Sequence, residues 1–220
     1  MEVMRSKRTE EEITKNKELF RWAIKRLENN DYSIAKMNQL LIKKGASKEE
    51  SKIVIDKLVN FSIINEDEMV ENVIELANTK HYGYKKIISI LTRKQISKER
   101  INKIVKDETR ELAMATKAKE SLIKRYKNQN TLNLKRNVFS GLIRYGFDEN
   151  IASLCVLDIS ISPTKEINML KLDYQKIFSS YSRKVQGKKL KEKIIKSLLS
   201  KGYQINDIKK LLMEERYEVD

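Results

Sequence analysis

The chain has 220 residues, 46 of them Lys or Arg against 31 Asp or Glu, giving a formal net charge of +15. Six glycines and one proline punctuate it too sparsely for a sheet protein built on tight turns; they suit helices joined by short polar connections. Such a positive balance favours polyanions or an acidic protein surface as partner. Arg is the minority cation, which argues against base reading, since Lys acts as a point charge. No apolar run approaches a membrane span. The charged stretch from Met1 to Lys17 lacks the apolar centre of a signal peptide. The lone Cys155 cannot close an internal disulfide and suits a reducing compartment. The expectation is a monomeric, cytoplasmic protein that makes no use of a membrane.

Residues 1–16 read as a polar tail. Leu19, Phe20, Ala23, Ile24 and Leu27 then recur at helical spacing. Ser33 caps a second helix carrying Met37, Leu40 and Leu41, which Gly45 stops. Ser47 with Glu50 matches a capping box at the start of a third helix bearing Ile53, Val54, Leu58 and Phe61. The same grammar returns 50 residues later, Leu41 mapping to Leu91, Ser47 to Ser97 and Val54 to Ile104. A further copy follows at an offset of 51, with Gly146-Phe147-Asp148 in place of Gly45-Ala46-Ser47. Pro163 opens a fourth copy, whose middle helix ends at Gly202-Tyr203. The expected architecture is all-α: an elongated, curved array of tandem three-helix repeats over residues 17–64, 65–110, 111–160 and 161–220. Units this small bury little surface alone, so neighbours must stack.

Catalytic machinery is absent from the pattern. His81 is the only histidine and precedes Tyr82-Gly83-Tyr84 at a turn; Cys155 has no partner cysteine. There is no glycine-rich phosphate loop or dinucleotide fingerprint. The reading is a non-enzyme with no catalytic residue, no metal and no cofactor.

Charge is more informative. Residues 115–147 hold Lys117, Lys119, Lys124, Arg125, Lys127, Lys135, Arg136 and Arg144 against the single acid Glu120. Residues 181–201 hold Arg183, Lys184, Lys188, Lys189, Lys191 and Lys193, with Lys196 and Lys201, against Glu192. Such faces can follow a phosphate backbone of any sequence, single- or double-stranded. A helix cannot aim all of these side chains one way, so some must point elsewhere. Glu66, Asp67 and Glu68 form an acidic helix start that would repel phosphate and suits a basic protein partner. The same three acids also complement the helix dipole, which is a purely structural role.

In order, these motifs resemble those of the RecX family of recombination regulators. The resemblance is carried by Tyr32-Ser33 through Leu40-Leu41-Ile42-Lys43-Lys44-Gly45, by Ile63-Ile64-Asn65-Glu66-Asp67-Glu68, by Tyr82-Gly83-Tyr84-Lys85-Lys86-Ile87 and by Leu198-Leu199-Ser200-Lys201-Gly202-Tyr203. It covers residues 18–214. Gln95-Ile96 stands where that family has Gly-Ile or Gly-Phe, and Met69-Val70 where it has an aromatic–Ala pair. The resemblance implies a modulator of the RecA recombinase that binds the RecA–DNA filament, also binds DNA, and restrains strand exchange and coprotease activity in DNA repair and the SOS response. The alternative that the residues alone leave open is a nucleic-acid-binding helical adaptor without a recombinase partner.

Overall fold

A computed structural model describes residues 2–217 of the chain, with side-chain surroundings for 12–215. Among the described residues there are twelve helices and no strand. They fall in four consecutive groups of three: α1 (Glu2–Leu27), α2 (Ile34–Lys44) and α3 (Lys48–Asn60); α4 (Glu66–Lys80), α5 (Tyr84–Arg93) and α6 (Lys98–Ile101); α7 (Glu108–Arg125), α8 (Thr131–Tyr145) and α9 (Glu149–Leu157); α10 (Pro163–Tyr181), α11 (Gly187–Ser200) and α12 (Ile205–Tyr217). The chain divides into two compact units, Met1–Glu108 and Thr109–Asp220. Each contains two of the groups.

Every group closes its own apolar core. In the first, Leu19 and Ala23 of α1 meet Met37 and Leu41 of α2 and Val54 and Leu58 of α3. In the second, Met69, Val73 and Ala77 meet Ile87 and Leu91. The third gathers Ala115, Ala118, Leu122, Val138, Leu142, Phe147 and Ala152, the fourth Leu170, Ile177, Ile194, Leu198, Tyr203 and Ile208. Buried positions on one helix recur three or four residues apart, as an amphipathic helix requires. Gly141 is buried on α8, where an added Cβ would meet the Leu122 side chain at 2.7 Å.

All four middle helices end in the same left-handed turn. The amide of Gly45 donates to the carbonyl of Ile42 and that of Ala46 to Leu41; Gly146 and Phe147 pair likewise with Ile143 and Leu142, and Gly202 and Tyr203 with Leu199 and Leu198. This is the two-bond termination in which a residue of positive φ follows the last turn and the next residue packs back. Ala46, Phe147 and Tyr203 are accordingly buried. In the second group the turn is made by Gln95, at φ 59°, with its amide on Thr92 and that of the buried Ile96 on Leu91. A residue with a Cβ is strained there, and the Gln95 Oε1 is buried with no hydrogen-bond partner among the described residues. Gln95→Gly should therefore raise stability by about 1 kcal/mol, the relieved left-handed strain being partly offset by glycine's larger unfolded-state entropy. Urea unfolding of the two proteins checks this; an unchanged or lower midpoint would contradict it.

Two elements depart from the periodicity. The chain is helical from Glu2, where a polar tail is expected through residue 16. Conversely α6 is one turn, not a full third helix. Ile101 and Ile104 still pack on the core, the latter through turns that follow the helix, while Val105 is 84% exposed.

Candidate nucleic-acid interface

The basic residues from α7 to α11 divide into exposed and engaged groups. Lys117 and Lys124 lie seven residues apart on the outer face of α7, and Arg125 and Lys127 follow at its end; all four are exposed. Arg136 is exposed on α8, as is Arg144, whose guanidinium donates to the Tyr126 Oη at 3.3 Å. Arg183 and Lys184 are exposed in the connection before α11. On α11 the buried Ile194 and Leu198 fix the inner face. Lys189 and Lys193 fall on one flank, which Lys196 extends; Lys188 and Lys191 fall on the other. All of them are exposed. The Lys193 ammonium lies 5.3 Å from the centre of the Tyr181 ring, a cation–π contact that holds its stem against the protein.

Lys119 and Lys135 belong to the structure. The Lys119 ammonium lies 2.9 Å from the Asp158 carboxylate, and that of Lys135 donates to the Leu157 carbonyl at 3.1 Å. Both cations thus serve the C-terminal end of α9, where carbonyls lack helical partners and positive charge is favourable. The hydrogen bond from Lys119 holds the Asp158 carboxyl below the usual carboxylate range.

The acidic helix start is split in the same way. Glu66 is buried: its carboxylate accepts the Ile34 amide at 2.9 Å and lies 3.4 Å from the Arg100 guanidinium. Glu66 is therefore a structural clamp between the first two groups and is not exposed to a partner. Asp67 remains exposed and pairs with Arg100 at 2.8 Å, which lowers its pKa chiefly through that hydrogen bond. Glu68 is exposed, its amide capped by the Asn65 side chain.

Sequence reasoning missed the clamp. It is repeated at Glu166 of α10, whose carboxylate accepts the Thr131 amide at 3.1 Å and the Thr131 hydroxyl at 2.8 Å. In both cases the first helix of one group supplies an acceptor to the first amide of the preceding middle helix. The third-residue amide is then capped by Ser33 in α2 and by Asn130 in α8. The available signal was an acid at the start of both α4 and α10, 100 residues apart.

Among the described residues no three potential metal-ligating side chains converge, and no helix is long and apolar enough to cross a membrane. These features define a class: a tandem three-helix repeat protein whose Thr109–Asp220 unit presents Lys- and Arg-rich helical faces. No protein-family profile matches the chain. It is 31% identical over 175 residues to the regulatory protein RecX of Streptococcus agalactiae serotype Ia, covering 75% of this chain and 66% of the relative. To that of Lactococcus lactis subsp. cremoris it is 25% identical over 169 residues, covering 73% and 62%. The crystal structure of RecX from Lactobacillus salivarius superposes with a TM-score of 0.54 at 19% identity, over 66% of this chain and 95% of that one. A second crystal structure of a regulatory protein RecX gives 0.52 at 19% identity, over 64% and 70%. The chain belongs to the RecX family of regulatory proteins. It spans about two thirds of the length of the curated relatives it matches.

Proposed function

We propose that this protein is a non-catalytic regulator of the RecA recombinase, binding the RecA–DNA filament and restraining its activity. The observation that carries the reading is family membership combined with exposed lysines on both flanks of α11. A filament forms on DNA of any sequence, so a regulator of it gains from phosphate attraction and not from base readout. Lysine-rich faces supply that attraction for single- and double-stranded DNA alike. Exposed Asp67 and Glu68 are suited to basic recombinase surface. A cytoplasmic monomer without cofactor is part of the same reading.

The test is titration into RecA-driven strand exchange and single-stranded-DNA-dependent ATP hydrolysis. Both rates should fall as the protein is added. Unchanged rates at concentrations that saturate bare DNA would reject filament regulation and leave the DNA adaptor in its place.

A further inference from the structure

We propose that a cavity beside the N-terminal end of α10 is a binding site for a phosphate group of nucleic acid. This rests on the reading that the protein binds nucleic acid and adds a defined site to it. The cavity has a volume of 360 Å³ and lies wholly within Thr109–Asp220. Three ammonium-bearing side chains line it from separate places: Lys119 from α7, Lys127 from the connection after α7, and Lys165 from the first turn of α10. Ser160 adds a hydroxyl. Asp158 is the one acid in the lining, and it is already held by Lys119 at 2.9 Å.

Two positive charges therefore remain uncompensated, on Lys127 and Lys165, which lie 38 residues apart in sequence. Neither ammonium makes an ion pair or hydrogen bond among the described residues. Like charges gathered at one concavity repel, and an anion placed between them removes that repulsion. The rest of the lining is Ser162 and four apolar side chains, Ile123, Leu134, Ile159 and Ile161. Low-dielectric walls around charge of one sign concentrate the field in the cleft. They also offer a surface to a sugar. The chemistry is that of a phosphate with an organic substituent: lysines meet the oxygens as point charges, and the apolar wall meets the carbon framework. The phosphate could be the end of a strand or an internal link, and the two sources are separable.

The experiment compares Lys127→Gln/Lys165→Gln with wild type and with Lys209→Gln/Lys210→Gln, a control of equal charge on exposed α12 positions. Binding of a short oligothymidylate, with and without a 5′-phosphate, is followed by fluorescence anisotropy across salt. The cavity variant should bind about tenfold more weakly at low salt, and its salt slope should fall by about 1.4, since each contact to a single strand contributes about 0.7. The control should stay close to wild type. A loss confined to the 5′-phosphorylated strand supports a terminal phosphate; equal loss on both strands supports an internal one. Thermal melting should not change, because both lysines are exposed. If the cavity variant binds like the control, the cavity is not a phosphate site while DNA binding stands. If wild type fails to bind either strand, the nucleic-acid reading falls and the site falls with it.

Discussion

Reversal of Lys188, Lys189 and Lys191 to Glu should weaken single-stranded DNA binding about a hundredfold at low salt and lower the salt slope by about 2, if each lysine neutralises one phosphate. All three are exposed on α11 and make no hydrogen bond or ion pair among the described residues, so folding should survive the change. They lie on both flanks of the helix, Lys189 on the side of Lys193 and Tyr181, Lys188 and Lys191 on the other. A strand passing along either flank therefore loses at least one contact. The companion variant reverses the exposed acids, Asp67→Lys and Glu68→Lys. It should leave bare DNA binding unchanged or stronger while weakening recombinase inhibition. Glu66 is left alone because its burial would turn a test of partner contact into a test of folding. Anisotropy titrations across salt decide the first variant and strand-exchange assays the second. Unchanged affinity in the α11 variant would mean that this face is only solvated surface.

Glu66→Ala should cost the Met1–Glu108 unit about 3 kcal/mol, near the upper end for a buried hydrogen bond whose partner is removed and whose donor is left unsatisfied. The Ile34 amide, at the start of α2, has Glu66 as its acceptor, and the Arg100 guanidinium loses one of its two carboxylate neighbours. Glu66→Gln keeps an acceptor oxygen and should cost less. Hydrogen exchange at the Ile34 amide, read beside the urea midpoint, separates local uncapping from global loss. Rapid exchange of Ile34 with an unchanged midpoint would show the clamp to be local only. Unaltered exchange would show that it does not cap the helix at all.

Much of the fold was legible because its signals are local. Gly45, Gly146 and Gly202 mark the ends of middle helices since only a residue at positive φ closes that turn, and glycine adopts it at least cost. Ser33, Ser47 and Ser97 announce helix starts through bonds that span three residues. Gln95 hid one termination because the turn forms in spite of its side chain. The candidate interface was less legible. A charge run counts lysines but not their neighbours, so Lys119 and Lys135 read like Lys117 and Arg136 although they secure the end of α9. Glu66 read as part of an acidic surface because its partner, Ile34, lies 32 residues earlier. Lys165 lies outside both basic runs and joins Lys127 only when α10 starts beside α7.

The clamps give the molecule a direction in time. Each group holds its own core, so the contacts that stabilise it lie close along the chain, and such topology folds quickly and can proceed as the polypeptide leaves the ribosome. Yet the acceptor for the first amide of α2 is Glu66, the opening residue of the following group. The leading group is thus translated with Ser33 already in place to cap α2, while the Ile34 amide acquires its acceptor only when the successor begins to emerge. The same dependence links α8 to Glu166. Assembly is vectorial within each unit, its first group completed by the second one synthesised.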